Sequence, residues 1–363
     1  MDKHALAILN AAESWNWPAP SCMEPLRNHR KACEFKTVCR KLLSCSITES
    51  HKLGGSLLER FWDEVERCHP QFAENVHDLK HTEYSSPDES EQILFDSVEA
   101  ATVDFAPVFE LAADLFTHIG LAFMISEDRH VWRFLSPPPT SGTVPDTLKP
   151  HGSRSQDALK LLAMKRDGTS CPLTEVPFFA FAGADPALTH MIPSSVRFKA
   201  NTLKFIALLG GKVARDHVLE FSSKIQNVFN METSAAASHR LSKWGIEACQ
   251  STLGVRNGMV QYYFRTFSFD LEHRIGSALL RDGDEISFGE GPEASQLHYG
   301  PHPMLCNLRL AVGRALYTSG AAEFIHQLME DADDTNCPHN TLKDEDFDVL
   351  NAKLLISGRA QIV

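Results

Sequence analysis

Residues 189–193, with the sequence THMIP, lie in the middle of the chain and decide its fold. A histidine stands here within an otherwise apolar stretch, which is typical of a short strand. Upstream, RDG at 166–168 is followed by CPLT at 171–174, and glycine and proline in this order indicate a turn into a short strand. A strand histidine can be a buried core residue or part of a site, so the surrounding pattern has to decide between them.

The pattern after this strand is helical and then returns to strand. Helical patterns cover 201–209 and continue in a second stretch to residue 221. Asn227 follows, then three alanines at 235–237 that favour helix, and then KWGIE at 243–247, which alternates as a strand does. Together these stretches predict a small mixed unit of strands and one helix around His190.

The order of these motifs resembles the fungal version of the HNH, or ββα-metal, nuclease family. The similarity covers roughly 158–330, because YFRTF at 263–267 and the helical stretch at 305–329 look like the C-terminal part of those proteins. The resemblance implies a ββα unit in which His190 is the general base and an asparagine orients it. It further implies a second histidine on the helix that helps to hold a divalent metal.

Two alignments place the asparagine and the second histidine differently. An alignment without a gap through 243–247 puts Asn227 on the asparagine position and Ala236 on that of the metal ligand. The alternative pairs Asn230 with His239 but removes three residues before the strand at Trp244. We prefer the ungapped alignment, and the sequence alone does not exclude the other.

The preferred alignment implies a damaged metal site. The methyl group of Ala236 cannot coordinate a metal, so no metal-ligating residue is predicted. Two further departures accompany this loss: Glu175 stands where the family usually has glycine, and Thr189 replaces a small alanine before the base. We therefore expect no cofactor, with a divalent metal as the alternative if the protein is a nuclease.

The fold class expected for the whole chain is α+β, with a helical N-terminal part, a central ββα HNH-like unit and a mainly helical C-terminal part. We expect an acidic helical region at 1–135, and a linker at 136–153, where PPP at 137–139 precludes both helix and sheet. The HNH-like domain with its helical extension is predicted at 154–335. An acidic tail is predicted at 336–363.

Local patterns predict several further elements. Leu57, Leu58, Phe61 and Val65 lie one to four residues apart, as one helix face requires, and a second helical stretch from about 91 to 125 is predicted to be broken near Pro107. The stretch 260–267, rich in Tyr, Phe and Val, predicts a strand, and 304–329 predicts a helix interrupted at 319–320.

The charge of the chain is uneven. Its 35 basic and 47 acidic residues give −12, which argues against binding to a phosphate backbone. The acidity is concentrated at 59–114, with 15 acidic and 3 basic residues, and at 248–363, with 16 and 9. The central part at 151–247 has 12 basic and 8 acidic residues. Nucleic acid is thus an unlikely partner, although charge alone does not exclude a nucleic-acid-binding face in the centre.

Location is predicted from the cysteines and the apolar runs. Nine cysteines in loose spacing, without a CxxC motif, indicate reduced thiols of a cytoplasmic protein. No secretory leader is expected, since the apolar run at 5–9 is too short. The runs near 120–125 and 205–209 are far below the ~20 residues of a membrane span, so we expect no membrane partner. The oligomeric state is left open.

Three functional hypotheses remain. Nuclease-like proteins of this kind are encoded beside fungal natural-product pathways, which favours a secondary-metabolite cyclase. Such an enzyme, a pericyclase of the intramolecular Diels–Alder type, would act on an apolar terpenoid or polyketide precursor without a cofactor. The alternatives are a metal-dependent HNH endonuclease and a non-catalytic interaction protein. The predicted catalytic residues are His190, Asn227 and His239, and the predicted substrate-binding residues are Trp244, Tyr262 and Tyr263.

Overall fold

The computed structural model describes residues 1–14, 29–124, 156–178, 186–250, 260–267, 272–275 and 278–333. Of these residues, 63% are helical and 13% lie in strands, with small sheets in the middle and helices at both ends. The expected α+β class is therefore confirmed. The predicted linker at 136–153 and the predicted tail at 336–363 lie outside the described residues.

The helices precede, interrupt and follow the strands along the chain. The helices are α1 Asp2–Ala11, α2 His29–Leu53, α3 Leu57–Cys68, α4 Phe72–His81, α5 Pro87–Leu94, α6 Ala106–Leu115, α7 Ala122–Met124, α8 Gln156–Asp167, α9 Ala200–Phe221, α10 Thr233–Arg240, α11 Pro303–Thr318 and α12 Ala321–Asp333. The strands are β1 Pro186–His190, β2 Val228–Glu232, β3 Trp244–Gln250, β4 Val260–Thr266, β5 Glu272–Ile275, β6 Ala278–Arg281 and β7 Glu285–Ile286.

The described residues divide into two compact units that do not follow the linear order of the predicted domains. Unit 1 comprises the described parts of Met1–Leu121, Phe198–Arg215 and Ala311–Val363. Unit 2 comprises those of Ala122–Arg197 and Asp216–Leu310. The predicted site residues all lie in unit 2. The linear division itself stays a prediction.

Unit 1 is built from amphipathic helices around an apolar core. In α3 the side chains of Leu57, Phe61 and Val65 are buried, as their spacing of three to four residues predicts for one helix face. The ring of Phe35 on α2 contacts that of Phe116, with 5.0 Å between the centroids. Because a buried aromatic or aliphatic side chain stabilises by ~1.5–3 kcal/mol, this core accounts for much of the unit's stability.

Proline and glycine set the ends of several helices. The sequence predicts a break near Pro107, and α6 begins at Ala106, so that Pro107 lies in its first turn, where its missing N–H costs nothing. The predicted interruption at 319–320 is confirmed, because α11 ends at Thr318 and Gly320 has a φ of +77° before α12 begins. The left-handed conformation of Gly320 thus separates the two helices.

The stretch Ala106–Met124 is long and apolar enough to cross a membrane by length and composition. It has 19 residues and a mean hydropathy of 1.3, and 78% of its most apolar window is buried inside the protein. Core helices of globular proteins meet the same criterion, so the stretch is weak evidence for a span. The expectation of no membrane partner and of a cytoplasmic location stays a prediction.

His118 lies in a π-helical turn, Phe116–Leu121, in the core of unit 1. Its ring stacks on that of Phe205, with 5.5 Å between the centroids, and its side chain is 7% exposed. Burial lowers the pKa of His118 to about 4, and the charge of Lys199 adds to this effect. The imidazole is therefore neutral in the folded protein at neutral pH.

We expect His118 to make the protein less stable in acid. The unfolded chain takes up a proton here near pH 6.5, whereas the folded protein does so only near pH 4. Its contribution to the free energy of unfolding is therefore intact above pH 6.5 and declines by up to ~1.4 kcal/mol per pH unit below it. Urea titrations between pH 7 and 4 should show a shallower decline for His118→Phe. An unchanged slope for His118→Phe would refute the assignment.

Unit 2 contains the expected ββα arrangement. Strands β1 and β2 are antiparallel, with His190 opposite Val228 and Leu188 opposite Asn230, and α10 follows β2 directly. A second sheet has the order β3-β4-β7, and β5 and β6 form a two-stranded sheet. The predicted strand at 260–267 is confirmed as β4. His190 is thus the last residue of a strand that ends beside α10.

Candidate functional site

The RDG motif forms a buried anchor beneath the ββα unit. Arg166 is fully buried and makes a two-pronged ion pair with Asp167, with Nε–Oδ1 and Nη2–Oδ2 distances of 2.8 and 2.6 Å. Its remaining donors reach the carbonyl oxygens of Ile225 and Val228, each at 2.8 Å. A buried guanidinium needs both the opposite charge and satisfied donors. Arg166 has both, and it holds the segment that leads into β2.

The segment held by Arg166 contains Asn227, which is fully buried. The Asn227 amide accepts a hydrogen bond from the Ile192 N–H at 2.9 Å and donates to the carbonyl oxygens of Ile192 and Ser222 at 2.7 and 2.9 Å. In addition, the Met191 N–H donates to the Asn227 carbonyl at 2.8 Å. Asn227 therefore positions the backbone that follows His190. The hydrogen bonds of its side-chain amide go to backbone groups. The resemblance implies instead that Asn227 orients the imidazole of His190.

A cavity of about 180 Å³ lies beside His190. Its wall combines apolar and polar side chains of β1, the turn after it, and the helices α8 and α10. The lining residues are Gln156, Ala187, Leu188, Thr189, His190, Pro193, Ser194, Ser195, Ala236 and Arg240. Pockets that enclose a drug-sized molecule usually measure ~300–1,000 Å³. This cavity can therefore hold one end of such a molecule.

Ala236 and Arg240 line this cavity together with His190. They are four residues apart on α10, so both lie on the same face of the helix. The structure thus brings His190 and position 236 together, as the ungapped alignment expects. The side chains that meet there are an imidazole, a methyl group and a guanidinium.

These residues do not fit a divalent metal. Among the lining side chains only His190 is of a type that commonly ligates metals, and the charge of Arg240 would repel a cation. No group of three or more histidine, cysteine, aspartate or glutamate residues suited to a metal occurs in the described part of the chain.

His239 does not line the cavity and is buried in the core of unit 2. It is 2% exposed, and its ring packs against Trp244 with 4.9 Å between the centroids. Burial lowers the pKa of His239 well below its usual value, and the charges of Arg309 and Arg240 add to the effect. The neutral ring lies in a packed environment. The structure therefore does not bring His239 to His190.

Asn230, which the alternative alignment pairs with His239, makes a structural hydrogen bond. Its amide donates to the carbonyl oxygen of Lys160 at 2.8 Å and so connects β2 to α8. Neither Asn230 nor His239 lines the cavity. The two residues do not form a site with His190.

The three predicted substrate-binding aromatics do not line this cavity either. Trp244 is 1% exposed and donates to the Ser238 hydroxyl at 2.8 Å. The hydroxyl of Tyr262 donates to the Pro301 carbonyl at 2.6 Å, and burial raises the pKa of this phenol. Tyr263 is half-buried, with the guanidinium of Arg265 5.8 Å from its ring centroid. Trp244 and Tyr262 belong to the core of unit 2.

Sequence reasoning did not predict Gln156, Ser194, Ser195 and Arg240 as site residues. One signal could have found Arg240, since it follows Ala236 by four residues and so shares its helix face. No comparable signal existed for Gln156, which lies at the start of α8 and is brought to the cavity only by the tertiary fold. The serines follow Pro193 directly, where the chain leaves β1.

Comparisons with known proteins give no match. No protein-family model, no curated protein and no solved structure matches this chain.

Proposed function

We propose that this chain is an HNH-like ββα protein repurposed for small-molecule chemistry in secondary metabolism. Its most suitable reaction is a cofactor-independent cyclisation of the intramolecular Diels–Alder type. One observation carries the proposal: Ala236 shares the cavity with His190, at the position where the resemblance implies a metal ligand. A site with one histidine and one arginine can donate hydrogen bonds to a substrate, whereas it offers a metal too few ligands.

His190 is the residue proposed to act on the substrate. A cyclisation of this kind needs a flexible precursor held in a reactive conformation and a donor that polarises a carbonyl on the electron-poor alkene. Of the donors expected from the sequence, Asn227 and Tyr262 do not line the cavity. His190 is half-buried and lines the cavity, so its imidazole can donate to a carbonyl oxygen placed there.

The surroundings of His190 support a preorganised donor. Arg166 holds the carbonyls on either side of Asn227, and Asn227 in turn holds Ile192, two residues after His190. A donor held in place by the fold needs no reorganisation during the reaction. The apolar remainder of a terpenoid or polyketide precursor would extend out of the cavity, because the cavity admits one end only.

Deletion of the gene in the source organism, followed by metabolite profiling, tests this proposal. We expect a cyclised product to disappear and its open precursor to accumulate. Complementation with wild type or with Lys243→Gln should restore the product, whereas His190→Ala should not. Lys243 is exposed and does not line the cavity, which makes it a suitable control. An unchanged metabolite profile on deletion would refute the proposed biosynthetic function and favour an interaction protein.

A further inference from the structure

Arg240 lies at one end of the residues of α10 that line the cavity, and it is the one lining residue with a permanent charge in the described part of the chain. No aspartate or glutamate is among the lining residues. Arg240 is exposed and makes no ion pair with any acidic residue in the described ranges. Among the residues that the structure describes, no carboxylate neutralises this guanidinium at the cavity.

Ser195 provides a second, independent observation on the wall of the same cavity. It is 5% exposed and lines the cavity, yet its hydroxyl makes no hydrogen bond to any residue that the structure describes. The hydroxyl oxygen itself is not fully buried, so it is open to the cavity and can donate to a group placed there. The Ser194 hydroxyl and the Gln156 amide are further neutral donors on this wall.

We propose that this end of the cavity binds a carboxylate group of the substrate. The guanidinium of Arg240 matches the two oxygens of a carboxylate, and Ser195 donates a further hydrogen bond to it. A single cation balances the single charge of a carboxylate, whereas the dianion of a phosphate monoester would keep an unbalanced charge. This inference rests on the proposed function: the substrate whose carbonyl lies at His190 is anchored through its carboxylate at Arg240.

Binding of small probes to the full-length chain tests the assignment without turnover. Titration calorimetry and ligand-observed NMR would compare hexanoate, hexanamide, dimethyl phosphate and inorganic phosphate. We expect hexanoate to bind and its neutral isostere hexanamide to bind at least ~10-fold more weakly, because a charge-assisted bidentate pair is among the stronger polar contacts. Arg240→Gln should reduce hexanoate affinity by a similar factor, and Ser195→Ala by a smaller one. Lys243→Gln should leave it unchanged.

Each outcome decides the inference. Equal binding of hexanoate and hexanamide, or full hexanoate binding by Arg240→Gln, would overturn it. Preferred binding of dimethyl phosphate or inorganic phosphate would reassign the cavity to a phosphate group. The proposed function fails separately, through an unchanged metabolite profile on gene deletion. The protein can bind a carboxylate at Arg240 even if it does not catalyse the cyclisation. If Arg240→Gln cyclises the precursor at the wild-type rate, only the proposed role of Arg240 in binding the substrate is refuted.

Discussion

We expect Asp167→Ala to lower the free energy of unfolding by about 3–5 kcal/mol. The substitution leaves the fully buried guanidinium of Arg166 without its carboxylate, whose oxygens lie 2.8 and 2.6 Å from Nε and Nη2. Asp167 also accepts a hydrogen bond from the Gly289 N–H at 3.2 Å, which is lost as well. Removing one partner of a buried ion pair costs much more than the pair contributes, because the other charge stays buried. Urea denaturation at pH 7 measures the effect.

A neighbouring ion pair gives the matched control for Asp167→Ala. Lys165 and Glu293 are 2.8 Å apart, and their side chains are 42% and 36% exposed. Glu293→Gln should therefore change the free energy of unfolding by no more than about 1 kcal/mol. If both substitutions cost about the same, the buried anchor beneath the ββα unit does not stabilise it as described.

His190→Ala should reduce turnover of the accumulated precursor by about 100-fold or more. A positioned acid, base or oxyanion donor typically contributes ~10²–10⁴-fold to a rate. His190 is the one imidazole among the described residues that line the cavity, so its removal leaves no equivalent group among them. The measurement is single-turnover conversion of the precursor isolated from the deletion strain, followed by mass spectrometry.

A histidine outside the cavity controls for general effects of the His190 substitution. His298 is exposed and has a φ of 71°, which asparagine tolerates, so His298→Asn should convert the precursor at the wild-type rate. Wild-type turnover by His190→Ala would remove the imidazole from the proposed chemistry. If both variants unfold as the wild type does, the loss of turnover in His190→Ala does not arise from misfolding.

Local patterns in the sequence were sufficient for the fold class and for several individual elements. The spacing of Leu57, Phe61 and Val65 predicted α3, and the strand-forming residues at 260–267 predicted β4, since burial of one helix face or strand face leaves a periodic signal. The break at 319–320 followed from a glycine. The alternation after Trp244 likewise identified β3.

The candidate site was predictable only in part. His190 was recognised from its motif, but the environment of Asn227 depends on contacts with Ile192, 35 positions away in the sequence. The place of His239 depends on Trp244 and on the distant Arg309, whose guanidinium donates to the His239 carbonyl at 3.0 Å. Such long-range contacts leave no periodic signal in a single sequence. The same holds for Tyr262. In the sequence it looks like any other aromatic residue of a strand, and its hydrogen bond to the distant Pro301 is visible only in the structure.

Plasmid cleavage with added metal ions tests the central claim most directly. The claim is that the cavity of His190 and Ala236 serves small-molecule chemistry and lacks the ligands for a nuclease metal. Supercoiled plasmid would be incubated with the purified full-length protein and Mg²⁺, Mn²⁺ or Zn²⁺, in parallel with His190→Ala. The account predicts that wild type and variant leave the plasmid equally supercoiled. Metal-dependent cleavage that disappears in His190→Ala would contradict it.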